Sequence, residues 1–213
     1  MILLDLLYPP RCTFCHKFVK DGSVRICHAC EVLLPYTKDS GKQKIEFVAQ
    51  CVAPLYYEKV VRDSLRRYKF HSCTGYAKAY APLVADCIRQ SIADKFDVLS
   101  WIPVSRKRLR ERGYDQAELL AKAVAKELNL KAEPVLKKIR DTQPQSGTGS
   151  AEKRRANITG AYRVLKPERV QGKSILLIDD IVTTGSTVRE CAKTLGLAGA
   201  DAVYCAAVAR ARD

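Results

Sequence analysis

The segment that most limits what this chain can become is Ile175-Leu-Leu-Ile-Asp-Asp-Ile-Val-Thr-Thr-Gly-Ser-Thr187. Four apolar residues in a row, without polar alternation, predict a central strand buried on both faces. The strand ends in two adjacent acids, Asp179 and Asp180, and Thr183, Thr184, Gly185, Ser186 and Thr187 then lead into a helix. A turn that leaves a parallel strand and opens a helix presents unpaired N–H groups and the positive end of a helix dipole. Gly185 lets the backbone approach a ligand closely, and the hydroxyls add compact donors. That is a site for a monophosphate. Carboxylates aimed at phosphate would repel it. Asp179 and Asp180 instead fit as acceptors from vicinal hydroxyls, each such bond contributing about 1.5–3 kcal/mol. Together the two halves describe a ribose 5-phosphate. Paired acids also form metal sites beside P-loops, but no G-x-x-x-x-G-K-[ST] run is present.

The rest of the chain alternates between strand and helix patterns. Cys51–Tyr57 reads as a strand or sheet edge, Asp97–Val104 and Lys173–Asp179 as buried strands, and Ala202–Val208 as a closing strand. Thr74–Ile92, Asp115–Leu128 and Thr187–Leu197 have helical spacing, with Ala117, Leu120, Val124 and Leu128 on one stripe of the second. This order predicts an α/β fold whose parallel sheet is covered by helices on both faces. The polar stretch 139–159 has no periodicity and reads as a mobile functional loop. The division expected is a cysteine-rich module over residues 1–45, ending in a linker-like stretch Thr37–Lys44, followed by the α/β domain over 46–213.

The module carries two C-x-x-C knuckles, Cys12/Cys15 and Cys27/Cys30, eleven residues apart. Four thiolates at this spacing can surround Zn²⁺ tetrahedrally, and a module this small depends on the metal to fold. A redox C-x-x-C pair is the rival, and it leaves the second knuckle unexplained. Cys51, Cys73, Cys87, Cys191 and Cys205 fall in periodic segments and read as small buried hydrophobes. The N-terminus lacks the basic region of a signal peptide, Asp5 interrupts it, and Pro9-Pro10 ends it. No run of eighteen residues is free of charge, so no membrane span is expected. Thiols and metal rather than disulfides then place the chain in the cytoplasm.

A formal net charge of +14 is spread along the whole chain and belongs to the folded surface rather than to a tail. Phosphate-rich partners fit this excess, with a solvated basic surface as the alternative. The densest cluster is Arg106-Lys-Arg-Leu-Arg-Glu-Arg112, and others are Lys59–Lys69, Lys137–Arg140 and Lys153–Arg155. Tyr56, Tyr57, Tyr68, Phe70 and Tyr114 are interleaved with them, the mixture of a single-strand groove, with Arg108, Arg110 and Arg112 as its expected phosphate contacts. The alternative is that the aromatics pack in the core while the arginines serve a small phosphorylated ligand.

The segment Asp179–Thr187 resembles the phosphoribosyl pyrophosphate motif of type I phosphoribosyltransferases. The resemblance implies that Asp179 and Asp180 hold the ribose hydroxyls and that Thr183, Thr184, Gly185, Ser186 and Thr187 cradle the 5-phosphate. It also implies a pyrophosphate loop after an earlier strand, best matched by Pro103, Val104, Ser105 and Arg106, with Mg²⁺ bridging the pyrophosphate. Over nearly its whole length the chain is similar to the ComF family, which joins a four-cysteine zinc module to a phosphoribosyltransferase-like domain. The matching pieces are Leu-Leu-Tyr-Pro-Pro-Arg-Cys12, Arg112-Gly-Tyr-Asp-Gln-Ala117, Thr142-x-x-Gln145, Arg154-x-x-Asn157 and Asp179–Thr187. One departure is Asp115, where the family pattern usually has Asn; an added negative charge there would oppose phosphate or DNA contacts. The resemblance implies a cytosolic role in natural competence, handling incoming single-stranded DNA beside a helicase-like partner. The competing reading is an active phosphoribosyltransferase of nucleotide metabolism, with an unidentified acceptor and no nucleic-acid role.

Overall fold

The computed structural model describes residues 9–21, 25–141 and 158–212. In chain order the described helices are α1 (His28–Leu33), α2 (Lys59–Phe70), α3 (Ala77–Ser91), α4 (Arg106–Arg112), α5 (Gln116–Glu127) and α6 (Ser186–Leu197). The strands are β1 (Gln43–Ile45), β2 (Val48–Val52), β3 (Leu55–Tyr56), β4 (Val98–Trp101), β5 (Leu136–Lys138), β6 (Tyr162–Val164), β7 (Ser174–Val182) and β8 (Ala202–Arg210).

The apolar run 175–178 sits where its composition demands, in the middle of the sheet. Strand β7 pairs in parallel with β8 from Ser174↔Ala202 to Val182↔Arg210, and with β4 on its other side from Val98↔Ile175 to Trp101↔Ile178. Strand β2 continues the sheet parallel to β8, β1 closes it as an antiparallel edge, and β3 pairs with the far end of β8. Alternate side chains of β7 supply two cores. Leu176 and Ile178 pack with α2, α3 and α5 residues such as Leu65, Tyr80, Val84 and Leu120. Ile175 and Leu177 pack with Val188, Cys191 and Leu195 of α6 and with Leu136 and Tyr162 of the β5–β6 hairpin. Each fully buried Ile or Leu here contributes about 1.5–3 kcal/mol. The expected α/β fold with helices on both faces is the one adopted.

Three local expectations change. The run 51–57 forms two strands rather than one, because Pro54 has no N–H to offer and Ala53 N turns aside to Ser40 O. The polar stretch 37–44 is fixed in place: Thr37 Oγ1 donates to Ala53 O at 2.6 Å, and a Cβ on Gly41 would meet that same carbonyl at 2.4 Å. Its last residues enter the main sheet as β1. The basic cluster 59–69 is the amphipathic helix α2, buried along Val61, Ser64, Leu65 and Tyr68. Cys51, Cys87, Cys191 and Cys205 are buried as expected, whereas Cys73 is only half-buried after α2.

Candidate functional site

Strand β7 runs past the acids to Val182, so Asp179 and Asp180 lie inside the strand rather than at its end. Successive residues of a strand point to opposite faces. Asp180 therefore turns toward α2, where Lys69 Nζ lies 2.9 Å from its Oδ2. Asp179 turns toward α6 and the β5–β6 hairpin, and its Oδ1 accepts the N–H of Asp180 at 2.8 Å. Burial, with Asp180 beside it, holds the Asp179 carboxyl well above the usual carboxylate range, against the opposing pull of Lys69.

Both acids line one cavity of about 190 Å³ at the carboxyl end of the sheet, together with Lys69, Arg108, Arg112, Lys138, Tyr162 and Thr187. Four cations face two carboxylates there, so the cavity favours an anion that also carries hydroxyls. Lys138 is buried in β5, and that burial, with Arg108 nearby, lowers its pKa. In the sequence Lys69 and Lys138 stand only as members of basic clusters and Tyr162 carries no signal, because each reaches the site from a distant element.

The turn after β7 has the expected form. Gly185 has φ +69° at the N-terminus of α6, and a Cβ there would lie 2.8 Å from Ile45 Cδ1 on β1. The positive φ favours glycine here, and a larger residue would also have to push the Ile45 side chain aside. No side chain caps α6, which leaves its first-turn N–H groups for an anion. Thr187 lines the cavity, Ser186 is buried with its Oγ 2.9 Å from Thr184 Oγ1, and Thr183 and Thr184 are exposed.

The loop after β4 is shaped by two caps. Ser105 Oγ accepts Arg108 N at 3.3 Å and starts α4. Asp115 Oδ1 accepts Ala117 N at 3.0 Å and Glu118 N at 3.2 Å, while its Oδ2 accepts Val104 N at 2.9 Å. Asp115 is therefore a buried clamp between α5 and the Pro103–Arg106 loop, and three backbone donors absorb its charge. The charge is not presented to a ligand. Burial raises its pKa in spite of those donors. The N–H of Val104 is engaged by this clamp, so Val104 borders the cavity without offering that donor.

Helical spacing divides the three expected arginines. Arg108 and Arg112, four apart, line the cavity, and Arg110 is exposed outside it. Arg112 Nη1 donates to Gln116 Oε1 at 2.8 Å. Arg106 lines a neighbouring cavity of about 250 Å³ with Ser105, Lys137, Lys138 and Arg140, and Lys138 borders both spaces. Thr142, Gln145, Lys153, Arg154, Arg155 and Asn157 lie outside the described residues, as does most of the 139–159 stretch.

The four knuckle cysteines converge. Their Sγ atoms all lie within 4.8 Å of one another, and Cys15 Sγ is 3.7 Å from Cys27 Sγ. A tetrahedron with Zn–S bonds of about 2.3 Å has S···S edges of about 3.8 Å, so the set fits zinc. Cys27 N donates to Cys12 Sγ at 3.4 Å. Burial opposes ionisation of Cys12, but the N–H groups of Cys27, Cys15 and Phe14 outweigh it and bring the pKa to about 7. Helix α2 grips this module: Ser64 Oγ donates to Thr13 O at 2.6 Å, and Arg67 Nη2 donates to Phe14 O at 2.6 Å.

Comparison with known proteins follows the same two parts. The double zinc ribbon domain matches residues 3–41, and the phosphoribosyl transferase domain matches residues 115–213. Competence protein F of Haemophilus influenzae is 24% identical over 94% of this chain and 97% of its own length. Competence protein ComFC of Bacillus subtilis is 26% identical over 80% of this chain and 65% of its own length. Over most of its length the chain is similar to these competence proteins. DNA utilization protein YhgH of Escherichia coli is 36% identical over 48% of this chain and 44% of its own length. Among solved structures, the glutamine phosphoribosylpyrophosphate amidotransferase of Bacillus subtilis gives a TM-score of 0.44 at 21% identity over 66% of this chain and 30% of that one, a loose likeness that adds nothing to the topology above. The chain thus joins a structural zinc module to a phosphoribosyltransferase-type domain and is related to competence proteins. Among the described residues, no helix is long and apolar enough to cross a membrane.

Proposed function

We propose that this chain binds phosphoribosyl pyrophosphate and acts in DNA uptake during natural competence, contacting single-stranded DNA in the cytoplasm beside a helicase-like partner. The observation that carries the proposal is the single cavity that unites Asp179, Asp180 and Thr187 with Lys69, Arg108, Arg112 and Lys138. The 5-phosphate takes the free N–H groups at the start of α6, and the two carboxylates accept the ribose hydroxyls. The pyrophosphate extends toward Ser105 and Arg106, with Lys138 between the two spaces and Arg140 beyond. The second cavity offers one carboxylate, Asp141, among its cations, so Mg²⁺ would arrive on the pyrophosphate rather than wait in a site of its own.

The names of the relatives, competence protein F and DNA utilization protein, support the DNA branch of this reading. The chemistry the cavity favours is loss of pyrophosphate from the anomeric carbon, because carboxylates flank the developing cation and cations face the leaving group. Calorimetric titration with phosphoribosyl pyrophosphate and Mg²⁺ should give saturable binding with one site per chain. Absence of heat across a wide concentration range would overturn the ligand assignment. Pyrophosphate release in the presence of candidate acceptors separates a transferase from a ligand-controlled binding protein.

A further inference from the structure

Phe70 ends α2 outside the buried stripe of that helix, which runs through Val61, Ser64, Leu65 and Tyr68. It is 64% exposed, so core packing does not account for an aromatic ring at this position. On one side the guanidinium carbon of Arg112 lies 4.9 Å from the ring centroid. Chain neighbour Lys69 and ring neighbour Arg112 both line the cavity that holds Asp179 and Asp180. Phe18 and Phe47 carry similar pairings with Arg11 and Arg189, but neither has a chain neighbour in that cavity. Phe70 is therefore an exposed ring beside two residues of the cavity lining, Lys69 and Arg112.

We infer that Phe70 is a stacking platform for an unpaired nucleobase whose sugar and phosphate lie toward Lys69, Arg108 and Arg112. The inference rests on the phosphoribosyl and DNA reading above and adds the part of the ligand that reading leaves unplaced. A base stacks on an aromatic face irrespective of its identity, and adjacent cations take the phosphate that follows it. The same chemistry could come from a base within single-stranded DNA or from a free base or nucleotide. Of these, single-stranded DNA fits best, since the cavity lining next to the ring gathers Lys69, Arg108 and Arg112, and several cations suit a polyanion.

The test uses the zinc-loaded full chain and 2-aminopurine, whose fluorescence is quenched on stacking, placed within an oligothymidylate or supplied as its deoxyribonucleoside monophosphate. The wild-type protein should quench the oligonucleotide probe on binding. Phe70→Leu keeps the apolar bulk and removes the flat ring. It should abolish the quench and weaken oligonucleotide affinity between about five-fold and a hundred-fold. The salt slope should stay unchanged, because the phosphate contacts remain. Quenching of the monophosphate alone would keep the platform and make a free nucleotide its ligand. Binding of oligonucleotide with no quench, or a quench that survives in Phe70→Leu, would overturn the inference. Failure of both probes to bind, while phosphoribosyl pyrophosphate still titrates by calorimetry, would overturn it together with the DNA branch but leave the small-ligand assignment standing.

Discussion

Lys69 Nζ lies 2.9 Å from Asp180 Oδ2, joining the end of α2 to the middle of β7. Two residues earlier on that helix, Arg67 holds the carbonyl of Phe14, between the first pair of knuckle cysteines. Helix α2 is thus a strut with the metal module on one side and the ligand cavity on the other.

Removing Lys69 leaves Asp180 buried without this cation. Lys69→Met should destabilise the fold by roughly 3 kcal/mol at pH 8, within the range for breaking a buried pair. Urea unfolding of the variant beside the wild type checks this; a loss within about 0.5 kcal/mol, the range of an ordinary surface substitution, would show that the pair carries little energy.

Asp115 is expected to act through the backbone. In Asp115→Asn the amide oxygen can keep the α5 cap, but the amide nitrogen then faces Val104 N–H, donor against donor. A cost of about 1–2 kcal/mol follows, and Asp115→Ala, which also loses the cap, should cost about 2–3 kcal/mol. Denaturant midpoints at constant slope give both numbers. A neutral Asp115→Asn would mean that the loop after β4 does not depend on the clamp.

One tightly held zinc per chain is expected, and Cys12→Ser with Cys15→Ser should release it. Phe14, Cys12, Cys30 and Leu34 share the core that includes α2 and α3, so metal loss should also expose apolar surface and lower the melting temperature. Metal analysis of protein purified without chelator decides the point. A zinc-free chain with an unchanged melting curve would contradict it.

Single-stranded DNA should bind with a salt dependence of about −0.7 per phosphate contacted, or around −3 to −4 for four to six contacts. Arg108→Ala and Arg112→Ala should flatten that slope, whereas Arg110→Ala should act weakly on the outer surface. Saturating phosphoribosyl pyrophosphate should compete, since the first two arginines line its cavity. Binding unaffected by salt would remove these arginines from the DNA surface.

The sequence shows some of this architecture clearly and hides the rest for identifiable reasons. The run 175–178 and the knuckles at Cys12 and Cys27 are legible because each is a local pattern with one physical solution. Helix α2 is obscured by the five cations it carries between Lys59 and Lys69, which mask a stripe of only Val61, Ser64, Leu65 and Tyr68. Lys69 and Lys138 are visible in the sequence as parts of basic clusters, but they enter the cavity through pairings remote in sequence that no local pattern announces. Asp115 looked like an electrostatic loss because its partners, Val104 and the start of α5, become visible only once the loop is folded. The unequal placing of Arg108, Arg110 and Arg112 follows from α4 being helical, which turns the middle one away.

If Asp179 and Asp180 hold a phosphoribosyl ligand, the double substitution Asp179→Asn with Asp180→Asn should remove binding altogether. The Asp179 carboxyl is held above its ordinary range, so the folded state keeps a proton that the unfolded state releases. Its contribution to stability is therefore complete below the ordinary carboxylate range and is lost as pH rises through the raised value. The two substitutions also leave Lys69 without its charged partner, so binding and unfolding should be measured on the same sample at pH 7.5. The prediction is that calorimetry with phosphoribosyl pyrophosphate and Mg²⁺ gives saturable binding for the wild type and none for the double variant, while the variant still unfolds cooperatively. Unchanged affinity in a folded double variant would contradict the assignment of this site.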